Sequence, residues 1–227
     1  TGIYTQGPFV YYNLISKETD QAKKLTLFNE MMEVFAAREK NLDVLNTFSK
    51  TKSTLGDVLA LKADYYNWTA PNTPGSGYTL NKSYDNYSKA IKMINEKGGR
   101  EIEGSVLQNF FLVSDAMYKS APNVLREQYL QDYLDSKEAC EKMLQLAKEA
   151  KIEGDEEKAN KLVAKYDGPL ALIEQTFSAS GAADREQIIA IYTKKFEDYK
   201  DDINKLNSAI TLMAQNDCDD TDIYYQY

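Results

Sequence analysis

The chain contains no histidine among its 227 residues. That absence excludes Ser-His-Asp and Cys-His catalysis, histidine general bases and His-ligated zinc. Its two cysteines, Cys140 and Cys218, are too few for a Cys-rich zinc site. Five prolines and eleven glycines supply too few turns for a sandwich or barrel, whereas a long helical protein needs only a handful. No apolar run approaches the roughly 18 residues of a membrane span, and no signal peptide is visible. The longest basic clusters are Lys23-Lys24 and Lys194-Lys195, and the net charge is −8. Nucleic-acid binding needs a basic face, so we expect none.

What is present is ordinary for a soluble globular protein: 43% hydrophobic and 27% charged residues. The length suits one large domain, and we read residues 1–227 as a single helical-repeat domain. The chain opens at Thr1 and closes on Ile223-Tyr224-Tyr225-Gln226-Tyr227, which reads as the middle of an amphipathic helix. We therefore expect a piece of a longer protein, with any targeting signal in the remainder.

Apolar residues three and four apart share a helix face. Leu25, Phe28, Met32 and Phe35 obey that spacing, as do Tyr84, Tyr87, Ile91 and Ile94. Tyr129, Tyr133, Ser136, Cys140, Met143 and Ala147 sustain it for about five turns. Ile189, Tyr192, Phe196 and Tyr199 repeat it, and so do Ile203, Leu206, Ile210 and Met213. No segment shows period-two alternation. Helices are predicted near 8–18, 20–38, 54–68, 81–97, 104–120, 123–151, 155–166, 169–178, 184–200, 202–215 and 220–227.

The breaks carry helix-boundary chemistry. Asp20 and Asp155 are N-cap candidates, and Glu156-Glu157 suit a first turn. Gly98-Gly99 stops the helix ending at Lys97, and Pro122 opens the next near its first turn. Gly168-Pro169 interrupts an apolar pattern and predicts two shorter helices or a sharp kink. Asn67–Tyr78, with two prolines and two glycines, is the one long irregular segment. Cys140 falls in the long apolar stripe and reads as a small buried hydrophobe; Cys218 falls in a polar turn. A disulfide between a helix core and a loop is not expected.

Short turns make neighbouring helices antiparallel, and hairpins with one apolar face bury it by stacking. The fold class is therefore all-α, a right-handed solenoid of helical hairpins with irregular repeats. Leu59, Ala63 and Tyr66 match the first helix of a tetratricopeptide repeat, and Ser83, Tyr87 and Ala90 the second, with the 67–78 loop inserted between. Tyr129, Tyr133 and Ser136 resemble another second helix; Ile188 and Tyr192 resemble a third, with Lys195 where a small residue belongs.

Ile3-Tyr4 through Glu39, Asp184 to Phe196 and Cys218 to Tyr224 carry a resemblance to a group of bacterial tetratricopeptide-repeat proteins, typically exported to the cell envelope. The match covers the two ends of the chain well and the middle loosely. The resemblance implies a non-catalytic scaffold for protein contacts in the periplasm or envelope. It transfers no catalytic residues, no cofactor and no metal site.

Tyrosine is the anomalous residue, with 17 copies. Tyr65, Tyr66, Trp68, Tyr78, Tyr84 and Tyr87 cluster around the irregular segment and form the candidate site. The functional reading is an aromatic patch for a peptide or glycan on the concave face, since Tyr and Trp offer large contact area at low entropic cost; the partner expected is a protein or peptide segment. The structural reading is that Tyr66 and Tyr87 fill core positions and the others pack under the loop. Asp217, Asp219, Asp220 and Asp222 lack the glycine and glutamate of a calcium loop and read as a turn and first-turn acids. Three Asn-x-Ser/Thr tripeptides, at Asn67, Asn81 and Asn86, are assigned no function. Two alternatives accompany the scaffold: a self-associating structural segment, and a carboxylate-dependent glycoside hydrolase, which needs no histidine.

Overall fold

The computed structural model describes residues 2–50, 52–96, 101–182, 184–201 and 203–227. The secondary structure described is helical throughout, with no strand among the described residues. Among them no helix is long and apolar enough to cross a membrane. The chain forms two compact units, residues 1–113 and 114–227.

The first unit holds α1 (Gly2–Lys17), α2 (Gln21–Lys40), α3 (Leu42–Thr47), α4 (Leu55–Thr69), a 3-10 turn at Ala70–Asn72, and α5 (Leu80–Glu96). Helix α6 (Gly104–Ser120) belongs to it as far as Val113. The second unit holds the end of α6, α7 (Pro122–Ile152), α8 (Glu156–Ala179), α9 (Arg185–Tyr199), α10 (Ile203–Gln215) and α11 (Asp222–Gln226).

In the first unit, Phe28, Met31 and Phe35 of α2 bury against Val58, Tyr65 and Tyr66 of α4, with Ile15 of α1. Each such side chain contributes about 1.5–3 kcal/mol on leaving water. Asp20 caps α2 as its position predicts, accepting the Lys23 N–H at 3.0 Å. Helix α4 opens on a reciprocal capping box: the Thr54 N–H donates to Asp57 at 2.6 Å and the Asp57 N–H to Thr54 at 3.2 Å.

Gly56 explains how closely α4 and α5 approach. A Cβ there would lie 2.5 Å from Ile94 Cγ1 and 2.9 Å from the Ile94 backbone nitrogen. Gly56→Ala adds helix propensity worth under about 1 kcal/mol but meets backbone, which cannot swing aside. The expected result is a net loss of about 1–3 kcal/mol in urea unfolding. A net gain would mean that the two helices part freely.

Three expectations are corrected here. The first helix, read as starting near residue 8, begins at Gly2 with Pro8 inside it. Pro8 removes one backbone donor, but Gly7 and Pro8 are buried, Gly7 facing Val34 of α2, so tertiary packing offsets the loss. Residues 42–47, left without an element, form α3. The 67–78 segment is not irregular from its start: α4 continues to Thr69 and the 3-10 turn follows. Thr69, Thr73 and Ser76 then donate hydroxyl hydrogen bonds to the carbonyls of Tyr65, Thr69 and Ala70 at 2.6, 2.8 and 2.8 Å.

The second unit is dominated by the antiparallel pair α7 and α8, about 46 and 36 Å long at 1.5 Å per residue. Pro122 occupies the first turn of α7 as expected. Tyr129, Tyr133, Ser136, Cys140, Met143 and Ala147 are all buried, as their spacing predicts. The tip turns at Gly154, whose φ of 86° is open to glycine at low cost. Asp155 caps α8 through the Lys158 N–H at 3.0 Å.

Helix α8 runs unbroken through Gly168 and Pro169, correcting the expectation of separate helices at 155–166 and 169–178. Tyr166 and Ile173, buried on either side of the proline, anchor both halves. Helix α10 also differs from its predicted stripe. Ile203 is exposed, and the buried row is Ala209, Leu212 and Met213. Cys218 lies in the polar turn expected of it, among Asn216, Asp217, Asp219 and Asp220, and is buried there, its thiol donating to the Asn216 carbonyl at 3.4 Å. Asp220 pairs with Arg185. The Lys97 and Gly98-Gly99 stop, and the side chains of Lys194 and Lys195, lie outside the described residues.

Candidate protein-binding surface

The aromatic residues around α4 divide by helix geometry. Tyr65 and Tyr66 are consecutive, so their side chains leave the helix about 100° apart. Tyr65 points toward α1 and α2: its ring centroid is 5.9 Å from Tyr12 and 5.8 Å from Phe35. Trp68 follows three residues later on the same side. Its ring lies 5.3 Å from Tyr65 and 5.9 Å from Tyr12, both edge-on. Tyr12, Tyr65 and Trp68 thus close a triangle of mutually edge-on rings, a favoured electrostatic arrangement. Tyr65 is buried, Tyr12 is half-buried, and Trp68 is 45% exposed.

Tyr66 enters the same core nearer the start of α2. It packs on Phe28 at 6.1 Å and Tyr78 at 5.9 Å, and Tyr78 is half-buried. On α5, Tyr84 lies against Phe110 of α6 at 5.3 Å. Tyr87 is fully buried. Of the six candidate residues, Tyr65, Tyr66 and Tyr78 join one core, Trp68 stands at its edge against Tyr65 and Tyr12, Tyr84 packs on Phe110, and Tyr87 is buried on Asp64. Tyr12 was not among the six. Its pairing with Trp68 spans α1 to α4, and no local spacing signals it.

Beneath these rings lies a buried carboxylate. Tyr87 Oη and Asn109 Nδ2 both donate to Asp64 Oδ1, at 2.7 and 2.8 Å. Burial pushes the Asp64 carboxyl above the usual range, while the two donors pull it back. Burial and the neighbouring carboxylate together push the Tyr87 hydroxyl up, so it stays protonated and donating. The trio ties α4, α5 and α6 together.

The second unit repeats the device. Asp115 accepts from Tyr129 Oη at 3.0 Å and from Lys119 at 2.7 Å. Asp132 accepts from Ser114 and from Gln128, the latter at 2.9 Å. All three aspartates are buried, and each accepts at least two hydrogen bonds, as burial of a carboxylate requires. Burial pushes the Cys140 thiol up to about 12, which keeps it a neutral packing group. Among the described residues, no three or more His, Cys, Asp or Glu are grouped to hold a metal ion.

Leu59, Ala63 and Tyr66 of α4, and Ser83, Tyr87 and Ala90 of α5, are all buried. Compared with known proteins, the chain matches no family model, no curated protein and no solved structure.

Proposed function

We propose that the chain is a non-catalytic scaffold of tetratricopeptide-like helix pairs that binds a segment of another protein at the Trp68 surface. The observation that carries this reading is the state of Trp68, which is 45% exposed yet held edge-on by Tyr12 and Tyr65. A large aromatic ring left in water and fixed beforehand has little entropy to lose on binding. That is the character of an interface anchor.

The α4–α5 pair supports the repeat reading. Gly56 lies against Ile94, Ser83 Oγ donates to Asn67 Oδ1 across the pair at 2.8 Å, and Ala63, Ala90, Tyr66 and Tyr87 are all buried. In the solenoid reading, further hairpins stack on this one. The resemblance of the chain ends to exported bacterial repeat proteins carries the proposal of a periplasmic or envelope location.

The test is capture of envelope proteins with the 227-residue chain and with Trp68→Ala. Loss of an interface anchor is expected to weaken a captured partner by about 30-fold or more. Identical recovery by both chains rejects the site. The exposed apolar residues Ile3, Val10 and Leu14 of α1 favour a second reading, self-association through α1. A mass independent of concentration in light scattering would dispose of it.

A further inference from the structure

The distal half of the α7–α8 hairpin carries an open groove of about 1150 Å³. Its apolar lining is formed by Leu144 and Ala147 of α7 and Ala159, Val163 and Leu170 of α8. Ala147 and Ala159 are buried at the seam, while Val163 is exposed on the rim. Small residues at the seam let another backbone approach closely, and Leu144, Val163 and Leu170 offer apolar contact beside it.

The groove is electrically bipolar. Glu138 and Glu141 of α7 and Asp167 of α8 line one end. Lys148 and Lys151 line the other, toward the tip, with the neutral Asn160 opposite. Glu141 and Asp167 are equally far in sequence from the turn at Gly154, so an antiparallel pair sets them level. The same holds for Lys148 and Asn160. Lys142 lies beside the acidic end and Lys137 pairs with Glu141, which reduces the negative excess there.

Nearer its base, the same side of α7 faces α10. Tyr133, Leu134, Lys137, Glu138 and Glu141 face Asn207, Thr211, Leu212 and Gln215 of α10 across a smaller cleft. Glu138 and Glu141 line both spaces. The distal groove therefore adjoins a cleft whose far wall is a helix, α10.

We propose that this groove is a docking site for an amphipathic helix of a partner protein, acidic in its first turns and basic in its last. Such a helix lies antiparallel to α7, its acidic end against Lys148 and Lys151 and its basic end against Glu138, Glu141 and Asp167. This distribution also suits the helix's own dipole. From Glu138 to Lys151 the groove is roughly 20 Å long, room for three to four turns. The apolar side chains of the incoming helix meet this apolar lining at i, i+3, i+4 and i+7. A second copy of the hairpin fits less well, because it would oppose one concavity to another.

The test uses the 227-residue chain and three fluorescein-labelled helical peptides with one common leucine stripe. One carries Glu in its first turns and Lys in its last, one carries Lys throughout, and one carries Glu throughout. Fluorescence anisotropy is expected to show the bipolar peptide binding at least about tenfold more tightly than either uniform peptide at low salt, with the gap closing in high salt. The double substitution Lys148→Glu and Lys151→Glu, on exposed positions, is expected to transfer the preference to the all-lysine peptide. Val163→Asp is expected to weaken the bipolar peptide about tenfold.

The proposal is overturned if no peptide binds, if all three bind alike, or if the double substitution leaves the preference unmoved. A concentration-dependent dimer that Val163→Asp dissolves would assign the groove to a second copy and overturn it equally. The Trp68 surface belongs to the other unit, so its failure and the failure of this groove are read separately.

Discussion

Phe177→Ala is expected to cost about 3–5 kcal/mol of folding stability. Phe177 is buried at the base of the α7–α8 hairpin, stacked on Tyr133 with centroids 3.8 Å apart and planes within 9°. It also meets Tyr129, one turn earlier on α7, at 5.9 Å, and Tyr129 stacks on Tyr118 at 4.6 Å. The four rings run from α6 through α7 to α8 without a break. Truncation to alanine removes the transfer energy of a phenyl ring and leaves a cavity between two rigid helices. The space cannot collapse without moving Tyr133, itself buried on α7, and the Lys137–Glu174 ion pair at 2.5 Å ties α7 to α8 close by. Phe177→Leu keeps most of the volume and is expected to lose less than half as much. Urea unfolding followed by circular dichroism, extrapolated linearly, measures both. A loss below about 1 kcal/mol for alanine would mean that this aromatic run is not packed as described.

Sequence periodicity revealed the helical class because it depends on local spacing alone. The stripe from Tyr129 to Ala147 is buried at every position, and Asp20 and Asp155 cap the helices they precede. Local signals misled where long-range packing outweighed them. Pro8 and Pro169 both lie inside helices, because tertiary burial, of Gly7 and Pro8 themselves in α1 and of Tyr166 and Ile173 around Pro169 in α8, offsets the lost donor. The candidate aromatic cluster was legible as composition but not as geometry. Tyr65 and Tyr66, adjacent on a helix, meet different residues of one core, while Tyr12 joins Trp68 from another helix. The donors to Asp64 lie 23 and 45 residues away, and an aspartate in an apolar stretch gives no sign of which partners it has. The α7–α8 groove arises only when the tip turn sets two exposed faces level, so neither helix announces it alone.

The Asp64 trio carries the second large effect. Tyr87→Ala removes a fully buried ring and one of the two donors to Asp64. The expected loss is about 4–5 kcal/mol, the upper part of the range for a large aromatic, since an under-satisfied carboxylate is left behind. Tyr87→Phe separates the two contributions. It keeps the ring, removes the hydrogen bond, and is expected to cost about 1–3 kcal/mol. The pH dependence identifies the carboxylate as the cause. Burial raises the Asp64 carboxyl above its unfolded value, so between those two values the folded state binds more protons. Stability from this group therefore falls as pH rises through that window and is constant above it. Asp64→Asn removes the titration but keeps an oxygen to accept from Tyr87 and Asn109. Relative to Asp64→Asn, the wild-type chain is expected to gain stability as pH is lowered toward about 4, the ordinary carboxylate range. Tyr87→Phe removes a donor that favours the charged form, so it is expected to raise the Asp64 carboxyl further and move this pH-dependent window upward. Parallel urea titrations of the three chains between acidic and neutral pH decide the matter. A difference between wild type and Asp64→Asn that does not vary with pH would show that Asp64 keeps its unfolded affinity for protons, and the trio would then be a packing contact rather than a buried charge held by its donors.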